Sequence, residues 1–193
     1  MRKLIYFVAS TLDGFIARGD GSFADFPWSQ EYLAALLEAF PETFPARLRP
    51  GAPTRADNRL FDAVLMGRKT YEVGLSEGIA SPYPTLDQYV FSRSMSKSPH
   101  SDVTLVSVDA PGFVSALKAQ EGRAIWLCGG ADLATTLFEA NLIDELIVKL
   151  NPVLFGSGVP LVGPAVRNVP LTLTDTFTYP SGHVRLHYAV RRS

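Results

Sequence analysis

An α/β fold built around a parallel sheet is what this sequence predicts, and three observations predict it. The first is the stretch Ala124–Val162. A short apolar run, Ala124–Cys128, is followed by Gly129-Gly130; Leu133, Ala134, Leu137 and Phe138 then recur at helical spacing, and a second strand carries Leu146, Val148 and Leu150 on one face. Strand, glycine pair, helix, strand is a βαβ unit, whose two strands run parallel. The second observation is a repeat of the junction: Ala63–Met66 is apolar and Gly67-Arg68-Lys69-Thr70-Tyr71-Glu72 opens a helix directly after it. The third is the pair of alternating segments Leu171–Phe177 and Val184–Val190 around Pro180-Ser181-Gly182, a terminal antiparallel hairpin.

Composition narrows the function classes. At 193 residues, 47% hydrophobic and 19% charged, the chain is long enough to bury a sizeable core as one domain, residues 1–193. A net charge of −1 gives no electrostatic case for nucleic acid or an anionic membrane surface. No apolar run approaches the ~20 residues of a membrane span. Cys128 is the sole cysteine, which excludes an internal disulfide and suits a cytoplasmic setting, with the thiol acting as a small hydrophobe. The start, Met1–Ser10, reads as a first strand rather than a signal peptide.

In chain order, Leu4–Ala9 is nearly all apolar, as a central strand requires. Ser10–Gly14 leaves it through an Asp-Gly turn, and Phe15-Ile16-Ala17 continues as an apolar loop. Asp13 is a turn residue by type, and also a carboxylate at a strand end, where open α/β sheets place ligands. Ser29 is a good N-cap for a helix whose face is Leu33, Leu36, Leu37 and Phe40. Pro41, Pro45, Pro50 and Pro53 break the next stretch into a surface loop, and Thr54 with Asp57 predicts a capping box on a short helix through Phe61. Arg68 and Lys69 stand in the first helical turn, against the helix dipole, which either a bound phosphate or solvation of the side chains would explain. Gln88–Phe91 is a strand ending in Ser92-Arg93-Ser94, hydroxyls beside a guanidinium. Val103–Val108 is a further strand, and Asp109 with Pro111 starts a helix carrying Phe113, Val114 and Leu117. Gly156-Ser157-Gly158 and Pro160 form a loop. His100, His183 and His187 belong to no Cys/His cluster, so no metal site is expected; the last two read as exposed residues of the hairpin.

These motifs together resemble a known family. V-L-M-G-R-K-T-Y-E at Val64–Glu72 is similar to the M-G-R-x-T-(W/Y)-E signature of dihydrofolate reductases. S-T-L-D-G-F-I-A at Ser10–Ala17, G-G-A-x-L at Gly129–Leu133, L-I-D-E-L at Leu142–Leu146 and P-V-L-F-G-x-G at Pro152–Gly158 resemble the C-terminal reductase domain of the bifunctional riboflavin-biosynthesis deaminase-reductase, especially its small stand-alone members. The resemblance implies a three-layer α/β/α dihydrofolate-reductase-like fold: a mixed, mostly parallel sheet with helices on both faces and a C-terminal antiparallel hairpin. It implies NADPH as cofactor, a homodimer, and hydride transfer to a small heterocyclic or imine-like substrate such as 5-amino-6-(5-phosphoribosylamino)uracil. A dimeric nucleotide-binding protein without turnover is the alternative. By the resemblance, Ala9, Ile16 and Ala17 line the nicotinamide pocket. Gly67, Arg68, Lys69 and Thr70 hold one side of the adenosine and pyrophosphate, and Ser92 and Arg93 hold the 2′-phosphate. Gly129, Gly130, Ala131 and Leu133 seat the pyrophosphate. Asp13, as the carboxylate at a strand end, is the expected proton donor or substrate-orienting group. One position departs: Leu33 stands where folate reductases carry a pterin-binding carboxylate, with Glu31 out of phase, so folate reduction is disfavoured.

Overall fold

The computed structural model describes residues 1–49 and 51–192; Pro50, within the proline-broken loop, lies outside them. The strands are β1 (Leu4–Thr11), β2 (Phe15–Ala17), β3 (Phe61–Gly67), β4 (Asp87–Phe91), β5 (Val103–Val106), β6 (Ala124–Gly129), β7 (Glu145–Asn151), β8 (Val159–Pro160), β9 (Leu171–Thr178) and β10 (Val184–Val190). The helices are α1 (Gln30–Ala39), α2 (Arg68–Ser76), α3 (Ala110–Ala119) and α4 (Ala131–Glu139). One sheet has the order β5-β4-β3-β6-β1-β7-β10-β9, and β2 pairs separately with β8. Every neighbour from β5 to β7 is parallel, and β10 is antiparallel to both β7 and β9. The central strand is the first one made. Leu4 pairs with Ile125 on one side and Ile5 with Glu145 on the other.

Alternation along the central strands explains the layers. Leu4, Tyr6 and Val8 join Leu65, Ile125, Leu127, Leu146 and Val148 under α3 and α4, through Val114, Leu117, Leu137 and Phe138. Ile5 and Phe7 join Val64, Met66, Trp126 and Ile147 on the other face, under Tyr32 and Leu36 of α1 and Tyr71 of α2. Both faces are apolar, hence the continuous apolar runs rather than strict polar alternation. The three-layer sheet with its C-terminal hairpin is the architecture expected.

Several local expectations change. Phe15–Ala17 is a strand, not a loop, because Val159–Pro160 comes back to pair with it; the glycine-rich loop after β7 therefore also ends in a strand. The Thr54–Asp57 capping box forms, but its helix is one 3₁₀ turn, Arg55–Asp57, and Phe61 already belongs to β3. The buried Glu42 carboxylate explains the early stop: it accepts from the backbone N–H groups of Arg59 (3.1 Å), Leu60 (2.7 Å) and Phe61 (2.8 Å), fixing where β3 begins. Val103–Val106 ends two residues early, leaving Val108 exposed. Ser29 caps α1, its Oγ accepting from Tyr32 N–H at 3.0 Å, but the buried face is Tyr32, Leu36 and Phe40 rather than one centred on Leu33 and Leu37.

The histidine reading also changes. His183 is 1% exposed. Its ring stacks on Tyr32 with centroids 3.9 Å apart, and its two nitrogens meet Pro27 O and Ser181 Oγ. His187 pairs with Glu145 across the β7–β10 ladder at 2.8 Å. Among the described residues no helix is long and apolar enough to cross a membrane, and no group of three or more His, Cys, Asp or Glu side chains is placed to hold a metal ion.

Candidate functional site

Because β1, β3, β4 and β6 run parallel, their carboxyl ends share one edge of the sheet, the edge at which such sheets bind ligands. Two strand–glycine–helix junctions meet there. Gly67 is the N-cap of α2 and Gly130 the N-cap of α4, and neither cap is closed by a side chain. The junctions touch: a Cβ built on Gly67 would lie 3.2 Å from the Gly130 nitrogen, and one on Gly130 would lie 3.6 Å from Thr70 Oγ1. Gly129 has φ +136°, a conformation that L-residues rarely adopt. Glycine thus eases the close approach at Gly67 and suits the backbone at Gly129. Unsatisfied N–H groups and the positive ends of two helix dipoles converge at one point, which favours an anion.

The other expected residues surround this point unevenly. Ala9 and Ile16 are half-buried and Ala17 is buried near the end of β1; Ile16 packs toward the α4 side of the core. Ala131 and Leu133 are buried, so α4 offers a ligand backbone groups rather than these side chains. Lys69 is exposed, and Arg68 is engaged within its own helix, its Nη1 donating to Glu72 Oε1 at 3.1 Å. At the end of β4, Ser92 is buried and its Oγ accepts from Met95 N–H (3.0 Å), which shapes the turn and leaves its O–H to donate. Arg93 next to it is exposed and has no ion-pair partner among the described residues.

Asp13 sits beside this edge, and its oxygens are occupied. It accepts from Thr11 Oγ1 (2.5 Å), Phe155 N–H (3.1 Å) and Gly156 N–H (2.7 Å). The Thr11 hydroxyl above all, then the two backbone donors, hold its carboxyl below the usual carboxylate range. The contacts latch the turn after β1 to the loop after β7. Arg18 reinforces the assembly, with Nε on Asp25 at 2.7 Å and its guanidinium 4.0 Å above the Phe155 ring.

The sequence left one group unnoticed, on the α1 side of the sheet. Lys149 is the parallel-ladder partner of Ala9, and its Nζ lies 4.3 Å over the Phe7 ring. Phe7 and Trp126 have centroids 6.0 Å apart, and Trp126 and Tyr83 4.8 Å. Cys128, one residue before the glycine pair, completes the wall. Lys149, Cys128 and Tyr83 each keep some surface open, yet the surrounding protein is dense. Burial lowers the Lys149 ammonium to about 8 and raises the Cys128 thiol to about 12, so Cys128 is neutral and no nucleophile at physiological pH. The signal was present: a lysine at an inward position of a strand that is buried on both faces. A separate cleft of about 660 Å³, lined by Leu37, Pro41, Arg49 and residues up to Arg59, lies toward the start of β3, away from the glycine edge.

With this geometry in view, the comparisons place the chain. The family model of the RibD C-terminal domain matches residues 2–184. The uncharacterized protein YwjB of Bacillus subtilis (strain 168) is 30% identical over 187 residues, 97% of each chain. A putative riboflavin biosynthesis protein from Shewanella sp. PV-4 superposes with a TM-score of 0.72 at 24% identity, covering 97% of this chain and 98% of that one. A dihydrofolate reductase from Enterococcus faecalis, solved with NADP(H) and RAB-propyl, superposes with a TM-score of 0.63 at 16% identity, covering 98% and 97%. The chain belongs to the RibD C-terminal domain family, oxidoreductases of the dihydrofolate-reductase type.

Proposed function

We propose that the protein is an NADPH-dependent reductase that transfers hydride to a small heterocyclic or imine-like substrate of the 5-amino-6-(5-phosphoribosylamino)uracil kind. One observation carries this reading: two uncapped helix N-termini, at Gly67 and Gly130, meet at the carboxyl edge of a parallel sheet. Backbone groups of Gly67, Thr70, Gly130 and Ala131 hold the pyrophosphate, Ser92 and Arg93 the 2′-phosphate, and Ala9, Ile16 and Ala17 border the nicotinamide. The fold neighbour from Enterococcus faecalis, solved with NADP(H), supports the choice of dinucleotide. When bound, the cofactor supplies the hydride; the protein orients it and excludes water.

The test pairs a binding titration with the loss of reduced-nicotinamide absorbance in the presence of the uracil substrate. Tight NADPH binding with substrate-dependent oxidation is expected, and no binding would end the reading. Dinucleotide binding without turnover is the second reading, favoured by the engagement of Asp13 with Thr11, Phe155 and Gly156, which leaves its carboxylate a latch. Binding without oxidation across a broad panel would select it.

Cofactor choice rests on Arg93 more than on Arg68, because Glu72 already holds Arg68. A charge-assisted hydrogen bond contributes roughly 1.5–3 kcal/mol, about 10- to 150-fold in affinity. Arg93→Ala should weaken NADPH binding by about tenfold or more, leave NADH nearly unchanged, and lose less as salt rises. Equal losses for both cofactors would show that Arg93 acts through structure instead.

We also propose a homodimer. All eight residues of the edge strand β9 are exposed, Leu173 and Phe177 among them. Beside it, Leu161, Val166, Val169 and Leu171 line an apolar groove of about 190 Å³ floored by Phe138 and Leu146. A second copy of the chain would cover both. Sedimentation at micromolar concentration should show twice the chain mass; the chain mass alone would overturn the proposal.

A further inference from the structure

The wall formed by Phe7, Trp126, Tyr83 and Cys128 encloses a cation that nothing neutralises. Lys149 Nζ rests on the Phe7 ring and has no hydrogen-bond or ion-pair partner among the described residues. Other buried cations of this chain are matched: Lys118 donates to Leu142 O and Asp144 at 2.5 Å, and Arg49 donates to Thr85 Oγ1 at 2.9 Å. A cation held in a dense setting without an anion is destabilising, and such a perturbed group beside a ligand edge is a candidate for work on that ligand. Its position points to which ligand. Lys149 is beside Ala9 on β1, while Cys128 of the same wall adjoins Gly129, so the ammonium stands at the inner end of the edge where the nicotinamide is assigned. Aromatic walls with a single cationic donor suit a flat heterocycle that has an acceptor nitrogen or oxygen.

We propose that Lys149 is the proton donor at this edge of the sheet, handing its proton to the heteroatom of a substrate C=N or C=O bond while the adjacent carbon accepts hydride. The inference rests on the reductase reading above. The balance is simple. Hydrogen and two electrons reach the carbon from the reduced nicotinamide; the π bond opens; the heteroatom takes H⁺ from the ammonium. The substrate is reduced, the nicotinamide is oxidised, and neutral Lys149 regains a proton from water. The ionisable groups facing it suit the task. Cys128 on β6 and Tyr83 on the loop before β4 both have raised pKa values and stay neutral, and Arg185 on β10, its cross-strand partner, is a fixed cation paired with Asp175. Around neutral pH, Lys149 is the one group of this set able to release a proton, since its own titration lies near 8.

The first measurement needs no turnover. Competitive acetylation of wild type with acetic anhydride at a series of pH values, read by peptide mass spectrometry, should show Lys149 titrating near 8 and NADP⁺ shielding it at least fivefold. Titration above 10, or equal labelling with and without NADP⁺ in protein that demonstrably binds NADP⁺, would overturn the proposal. Failure to bind NADP⁺ at all would instead overturn the cofactor reading and this inference with it. The second measurement uses NADPH and 5-amino-6-(5-phosphoribosylamino)uracil. Lys149→Met should keep the NADPH Kd within threefold, lower kcat by at least 100-fold, and abolish the fall of kcat above pH 8. Lys149→Arg keeps the charge without a releasable proton, so KM should recover while kcat does not. Full kcat in either variant would overturn the assignment. If wild type does not reduce the probe, the labelling and its protection decide.

Discussion

Gly130→Val should fold and no longer bind NADPH. The residue has φ −94° and ψ −163°, an extended conformation open to L-residues, and the nearest atom to a new Cβ is Thr70 Oγ1 at 3.6 Å. The backbone therefore tolerates the side chain, while the valine methyls cover the N–H groups at the start of α4. Because the Gly67 junction abuts the same nitrogen, they crowd the second helix terminus as well. Loss of at least 100-fold in affinity is expected, about 2.7 kcal/mol, with Gly130→Ala between the two. Gly129→Val is a poorer experiment. With φ +136°, strain of about 1–3 kcal/mol mixes folding with binding. Wild-type affinity in a folded Gly130→Val protein would remove the glycine pair from the dinucleotide site.

Lys149→Met should make the protein more stable while harming its chemistry. Burial lowers the folded-state pKa from 10.5 to about 8, whereas the unfolded chain keeps the ordinary value. Below pH 8 both states hold the proton, and the folded state bears the full cost of the buried charge, roughly 2–3 kcal/mol. From pH 8 to 10.5 the unfolded state still binds a proton that the folded state has released, so wild-type stability climbs with pH through that window. Methionine removes the charge, keeps the packing on Phe7, and forgoes a cation–π contact of about 0.5–1 kcal/mol. At pH 7 the variant should melt about 4–8 °C higher, and the advantage should fade above pH 10. Denaturant melts of both proteins at pH 7 and pH 10.5 read this directly. Equal stability at pH 7, or an advantage that does not narrow with pH, would show that Lys149 is fully solvated. A side chain that destabilises the fold and is nonetheless present is the pattern of a working residue.

The parts of this molecule legible in its sequence are those set by local chemistry. Gly67 and Gly129 announce tight strand-to-helix junctions because glycine suits the close approach at the first and the positive φ at the second. Ser29, the Thr54–Asp57 box and Asp109 are recognisable caps for the same reason: donor and acceptor are three residues apart. What escaped depends on distant partners. Phe15–Ala17 is a strand only because Val159–Pro160 reaches it, and a three-residue run has too little pattern to declare itself. His183 is buried only because Tyr32 stacks upon it. Asp13 has the composition of a turn and the position of a reactive group, and its bonds to Phe155 and Gly156 come from far along the chain. Lys149 is polar at a position where alternation suggests an outer face, but β7 is covered on both sides.

The placement of β1 also sets a timetable. Its neighbours β6 and β7 lie about 120 and 140 residues downstream. A ribosome adding roughly 5–20 residues per second takes about 6–24 s to reach β6 and about 7–28 s to reach β7. Until β6 is made, β1 exists without either partner, and the βα units between can organise only around an absent centre. When Ala124–Asn151 emerges it inserts on both sides of Leu4–Thr11, so the sheet is sealed from its middle outward by late arrivals. Pairing over such separations slows folding. The nascent chain thus passes through a stage in which Leu4–Val8 is unpaired and open to contact with other chains.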